Sequence, residues 1–213
     1  MQLKYIDFKE KICESQVFLP YKFVLETLES SGKIKKLTHS FLHDDTYLDY
    51  KGDDIVMDIC SIRKNFYIVS VEEDNMPKNW LRFNEVLSDL TRQARSNVSF
   101  YVPYYDLNAA MYFKVLSKIK IEKNMIVYSP EKHFDIVNAK KAILELNKSG
   151  FKCRFSSIGN HAKAYIFDKK AAVVGSFNFT DNGIYKNNEL GVLLFGDEVS
   201  ILSDFLERKT NPI

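Results

Sequence analysis

From about Leu81 onward the apolar positions switch repeatedly between a helical period and a strand period. Leu81, Val86, Leu87, Leu90 and Ala94 share one helical face over Leu81 to Arg95. Val98 to Tyr105 is β-branched and aromatic, is closed by Pro103, and predicts a strand. Leu107 to Ile121 returns to helical spacing, Met125 to Tyr128 is a short apolar strand, and Ile136 to Leu146 is a helix stopped by Ser149-Gly150. Phe151 to Phe155, His161 to Phe167, Ala171 to Asn178 and Leu190 to Phe195 predict further strands, and Val199 to Arg208 an amphipathic helix. Such alternation predicts an α/β fold, a mixed β-sheet flanked by helices on both faces.

Residues 1–80 follow a different pattern. Phe23 to Leu28 and Ile34 to Phe41 read as helices around Ser30-Ser31-Gly32. Thr46 to Ser70 reads as two or three strands, marked by Tyr47 and Leu48, by Ile55, Val56 and Ile59, and by Phe66 to Val71. Two helices followed by a hairpin fit either a winged helix or an α+β cap on the core. The acidic run from Glu72 to Pro77 is the expected boundary, giving an N-terminal segment, 1–76, and a second domain, 77–213.

Composition narrows the class. With 213 residues, 46% of them hydrophobic, the chain can bury a sizeable core. No apolar run approaches the roughly 18 residues of a membrane helix. Charges interrupt Met1 to Glu10 where a signal peptide needs an apolar stretch. Cys13, Cys60 and Cys153 are odd in number and have no CxxC spacing, which fits a reducing, cytoplasmic setting. Residues 1–80 carry 11 Lys+Arg against 14 Asp+Glu, and residues 81–213 carry 19 against 14. The basic half suits an anionic partner.

The candidate chemistry lies in that half. Side chains alternate along a strand, so His161, Lys163, Tyr165 and Phe167 share a face. A hairpin turning at Lys169-Lys170 sets His161 opposite Asn178 and Lys163 opposite Ser176, gathering four polar groups. Lys163, the Asn178 amide and Ser176 suit the non-bridging oxygens of a phosphodiester. A neutral imidazole at His161 is a competent nucleophile. Glu189, just before the strand at Leu190, is the candidate carboxylate to orient that ring. Taken singly, a strand histidine, its neighbouring lysine and a Gly-Ser turn are usually structural; their combination on adjoining strands is what points to a site.

His161, Lys163, Asp168, Gly175, Ser176 and Asn178 form His-x-Lys, four residues, Asp, six residues, Gly-Ser-x-Asn. This resembles the signature of the phospholipase D superfamily. Thr180 also fits, and Glu189 resembles the downstream acidic residue of small members. The resemblance implies a phosphodiesterase without metal or other cofactor. His161 is then the nucleophile of a covalent phosphohistidine, Lys163 and Asn178 hold the phosphate, and Asp168 braces a turn. Many members carry two motifs. His39, His43 and His133 lack a following Lys at the right spacing, so this chain has one. It thus resembles the single-motif endonucleases that act as symmetric homodimers, with nucleic acid, DNA or RNA, as substrate and no membrane partner. Phosphatidyl transfer and a catalytically silent nucleic-acid-binding module are the alternatives.

Three other features bear on function. His39 and His43 have helical spacing for a metal but no further ligand pattern, so no metal site is expected. Lys33 to Lys36 and Lys114, Lys118 and Lys120 are solvated faces or backbone contacts to nucleic acid. Tyr101, Tyr104 and Tyr105, at a strand end near the expected cleft, are packing residues or base-stacking platforms.

Overall fold

A computed structural model describes the chain except residues 37–41, 72–75, 157–160 and 211–213. The chain divides into two compact units, Met1–Lys64 and Asn65–Ile213.

The first unit runs β1 (Gln2–Lys4), α1 (Tyr5–Ser15), α2 (Tyr21–Ser30), β2 (Ile34–Lys36), β3 (Tyr47–Tyr50) and α3 (Ile55–Ile62). Its strands make an antiparallel sheet in the order β1-β3-β2. Tyr5, Phe8 and Ile12 form the buried stripe of α1, and Val24, Leu25 and Leu28 that of α2. Two expectations are corrected here. Ile34 to Lys36 is a strand, because Gly32 takes the left-handed conformation (φ 77°) just after α2 and Ile34–Lys36 pairs with Leu48–Tyr50. The rest of that expected helix, 37–41, lies outside the described residues, as does His39 of the weighed metal pair. Ile55, Val56 and Ile59 are helical, because the Asp54 carboxylate accepts from the Val56 and Met57 amides at 2.9 and 3.2 Å.

The second unit begins with β4 (Phe66–Ser70), β5 (Leu81–Arg82), α4 (Phe83–Gln93), β6 (Asn97–Tyr101) and α5 (Leu107–Tyr112). It continues with β7 (Glu122–Val127), α6 (Ile136–Lys148), β8 (Phe151–Phe155), β9 (Ala164–Phe167) and β10 (Ala171–Gly175). It ends with α7 (Asp181–Tyr185), β11 (Leu190–Phe195) and α8 (Asp197–Thr210). Short 3-10 turns cover Phe113–Lys118 and Pro130–Lys132. Eight strands form one mixed sheet in the order β5-β4-β11-β10-β9-β6-β7-β8. β4 pairs antiparallel with β11, so Phe66–Ser70 belongs to the second unit's sheet; residues 72–75 of the acidic run are outside the described set.

Alternation along the strands gives the sheet two apolar faces. Phe100 and Tyr165 point to one side, where Phe83 of α4 and Phe113 pack on them, with ring centroids 5.1 Å (Phe83–Tyr165) and 6.1 Å (Phe100–Phe113) apart. Tyr101, Ile126, Ala164, Ile166 and Ala172 point to the other, beneath Val199 and Leu206 of α8. Helices therefore flank the sheet on both faces, as the alternating pattern predicts. Among the described residues no helix is long and apolar enough to cross a membrane.

The β9–β10 hairpin differs from expectation by one residue. Val173 faces Tyr165 and Ala171 faces Phe167. The turn holds three residues, Asp168, Lys169 and Lys170, with Asp168 and Lys169 left-handed (φ 52° and 55°) and the Lys170 amide donating to Phe167 O at 2.9 Å. The Asp168 carboxylate fixes this turn to the start of β6. It accepts from the amides of Arg95, Ser96 and Asn97 at 2.7, 2.8 and 2.9 Å and from the Ser96 hydroxyl at 2.8 Å.

Burial by itself raises the Asp168 pKa, but these four hydrogen bonds outweigh it and the net shift is downward. The carboxylate therefore contributes stability above the usual aspartate pKa, and that contribution is lost as pH falls through the lower folded-state value. Asp168→Ala should cost about 2 kcal/mol or more, because it removes charge-assisted bonds and strands their donors. Thermal melting should show a Tm drop of roughly 4–8 °C. Asp168→Asn, which keeps the tolerance for the left-handed turn, should lose less; an unchanged melting curve for Asp168→Ala would remove the brace from the account.

Candidate active site

At the end of the β9–β10 hairpin opposite Asp168, both strands stop and the chain opens out. His161 and Lys163 precede β9, and Ser176 to Asn178 follow β10. The hairpin still ties the two together, since the Gly175 amide donates to Lys163 O at 3.2 Å. Extending the observed register sets Lys163 beside Gly175, so the expected direct pairs His161–Asn178 and Lys163–Ser176 do not form as ladder partners.

The Gly-Ser-Phe-Asn-Phe-Thr segment is positioned by its aromatic residues. Phe177 and Phe179 are fully buried, leaving Ser176 exposed and Asn178 half-buried. Phe177 stacks on Phe83 with centroids 3.9 Å apart and planes 13° apart, and Phe179 packs on Phe113 at 5.0 Å. Gly175 faces Gly191 across β10 and β11, under the Phe177 ring. A Cβ at Gly191 would lie 2.5 Å from Phe177 Cε2, and one at Gly175 would lie 2.5 Å from Leu190 O. Two missing side chains thus let the ring settle and bring the Ser176 backbone against β11.

There Ser176 joins Glu189. Its hydroxyl donates to a Glu189 carboxylate oxygen and accepts from the Leu190 amide at 3.2 Å. Asn187 Nδ2 donates to the other Glu189 oxygen at 3.2 Å, and the Ser70 hydroxyl donates to the Glu189 carbonyl at 3.2 Å. Among the described residues no hydrogen bond joins Glu189 to the His161 imidazole.

The remaining candidates are held separately. The Lys163 amine donates to the His161 carbonyl at 3.1 Å. The His161 ring is exposed and stands nearly perpendicular to Tyr128, 6.1 Å away. Asn178 carries a buried Oδ1 with no hydrogen-bond partner, an amide end not spent on internal structure. The arrangement offers an exposed imidazole, an amine, a carboxamide and a carboxylate-held hydroxyl at one end of a hairpin. Asp168 sits at the other end.

A fixing residue not singled out by the sequence is Asp106. Its Oδ1 accepts from the Ala109 amide at 2.8 Å, capping α5, and its Oδ2 accepts from the Asp181 amide at 2.8 Å. The Asp106 amide donates to Phe179 O, and the Phe179 amide donates to Tyr104 O, both at 3.1 Å. Asp106 before the apolar run at Leu107 is a cap signal, but its second partner lies far away in sequence. Of the three tyrosines, Tyr101 and Tyr105 are core, at 0% and 2% exposure; Tyr104 is 38% exposed.

Comparison with known proteins follows the same outline. A family model described as "Cardiolipin synthase, PLD-like domain" matches residues 87–208. No curated protein matches the chain. Among solved structures, Nuc from Salmonella typhimurium, a phospholipase D family member, aligns with TM-score 0.50 and 16% identity, covering 68% of this chain and 90% of that one. NucT from Helicobacter pylori aligns at 0.47 and 19%, covering 58% and 84%. Polyphosphate kinase from Porphyromonas gingivalis aligns at 0.51 and 13%, covering 70% of this chain and 26% of the kinase. With a family model spanning more than half its length, and the fold to match, the chain belongs to the phospholipase D superfamily.

Proposed function

We propose that the protein is a metal-independent phosphodiesterase, a nuclease acting on DNA or RNA through a phosphohistidine intermediate in a homodimer. The observation that carries this reading is one complete His161–Lys163–Asp168–Ser176–Asn178 motif in a chain of this family. A ring nitrogen of His161 attacks phosphorus, the P–O bond to the leaving oxygen breaks, and that oxygen takes a proton from His161 of the partner subunit. Water then attacks phosphorus, gives its proton back to that second imidazole, and the P–N bond breaks to free His161. Lys163 and Asn178 bind the non-bridging oxygens, where negative charge grows in the transition state. Ser176 and Glu189, already hydrogen-bonded, form the acidic edge that orients His161 once substrate is bound. The exposed imidazole supports its role as nucleophile.

The first unit would contribute substrate selection or assembly. Two helices between the first and second strands of its sheet, then a hairpin, support a winged-helix-like reading. Phosphatidyl transfer is the second reading, favoured by the description of the matched family.

Nucleic acid should be cleaved in chelator by the wild type, and His161→Ala should lose at least about ten-thousand-fold in kcat/KM. Turnover of phosphatidyl lipid alone would replace the first reading with the second. Mixing His161→Ala with wild type under subunit exchange should lower activity per wild-type chain, because mixed dimers lack one of the two imidazoles; full activity in an isolated monomer would sink the shared site. Glu189→Gln should reduce kcat by roughly a hundredfold with little change in KM, read from steady-state kinetics. An unaltered kcat would take Glu189 out of the mechanism.

A further inference from the structure

We propose that the rim of this site holds a subsite for one unstacked nucleobase, built from the exposed Tyr104 ring with the Lys132 amine nearby, and that the substrate is therefore single-stranded nucleic acid. The inference rests on the phosphodiesterase reading and names its substrate class.

Tyr104 is fixed at both backbone and ring. Its carbonyl accepts from the Phe179 amide at 3.1 Å, one residue from Asn178. Its ring meets Tyr128 at 5.5 Å and 90°, and His133 at 5.6 Å and 81°. His133 packs in turn on the buried Tyr105 at 4.3 Å, and burial lowers its pKa, so a neutral ring sits against the two tyrosines. Tyr128 is buried and stands at right angles to His161, 6.1 Å away. Two ring contacts therefore lead from the candidate nucleophile to a ring that solvent still reaches. Lys132 is exposed, with its amine 5.1 Å from the Tyr128 centroid.

The neighbouring tyrosines Tyr101 and Tyr105 are, by contrast, buried. An exposed ring packed on Tyr128, whose ring in turn lies 5.1 Å from the Lys132 amine, supplies the two elements single-strand binding needs, a stacking surface for a base and positive charge for the backbone. In a duplex both faces of a base are already stacked, so reaching Tyr104 requires unstacking first.

Binding is measured in a His161→Ala background, which prevents turnover, by anisotropy of a labelled thymidine oligonucleotide and of a base-free sugar–phosphate chain of equal length. The base-containing chain should bind roughly tenfold tighter or more. Tyr104→Leu should abolish the difference, Tyr104→Phe should keep it, and thermal melting should show both variants folded. A 2-aminopurine oligonucleotide should be quenched by the parent protein and by Tyr104→Phe, not by Tyr104→Leu. Lys132→Ala should weaken both chains alike and reduce the salt dependence by about one counterion. Equal binding of the two chains, or a difference that survives Tyr104→Leu, overturns the subsite. So does Tyr104-dependent binding to phosphatidylglycerol vesicles without oligonucleotide binding. Base-dependent binding without chelator-resistant cleavage by the wild type would instead keep the base site and refute the phosphodiesterase reading.

Discussion

The carboxylate of Asp168 and the three amides it receives from Arg95, Ser96 and Asn97 govern where everything at the other end of the hairpin falls. β9 and β10 lie in the middle of the eight-stranded sheet, between β6 and β11. A hairpin slipped by one residue would turn Tyr165 and Phe167 toward α8 and send Ala164 and Ile166 into the aromatic layer. The left-handed pair Asp168-Lys169 sets the turn length, and the four hydrogen bonds hold the turn against β6. Position at the candidate site is thus decided at the opposite end of the hairpin.

The polar end is ordered by apolar burial. Phe177 and Phe179 alternate with Ser176 and Asn178, and both phenyl rings are fully enclosed. Each fully buried phenyl ring contributes roughly 1.5–3 kcal/mol relative to exposure, enough to oppose the cost of an Asn178 oxygen without a partner. Pulling the phenylalanines in therefore places the polar residues between them. The glycines opposite each other on β10 and β11 make the room, and Asp106 ties the same segment to the end of β6. The site's preorganisation comes from rings and amides that need never touch substrate.

Legibility in the sequence follows from the range of the interactions. β8 and β11 match their apolar runs residue for residue, and α6 and α8 match theirs nearly so, because their patterns are local and strongly periodic. The motif residues were legible because their spacing is fixed within one hairpin and the turn after it. The register was not, because Lys169-Lys170 looks like a two-residue turn until Asp168 is seen bound to amides more than seventy residues earlier. Ile34 to Lys36 failed for a related reason: its partner is β3, and pairing overrode its helical spacing. Ile55 to Ile59 was misread despite a local signal, the capping Asp54. The stripe Tyr5, Phe8 and Ile12 also carried a helix that strand-like residues elsewhere in the segment obscured.

Glu189 marks how far the structure carries the mechanism. Its two carboxylate oxygens are occupied by Ser176 and Asn187, both exposed, and the imidazole it would orient stands against Tyr128 instead. In the proposed mechanism, a phosphate bound at the Asn178 amide would compete, through its negative charge, with Glu189 for the Ser176 hydroxyl. Release of that hydroxyl would free one carboxylate oxygen for the imidazole, which in the proposed mechanism gains positive charge as it bonds to phosphorus. The hydrogen bond between Ser176 and Glu189 thus reads as a resting arrangement. It satisfies a carboxylate that the proposed mechanism would turn to His161 once a phosphate is bound.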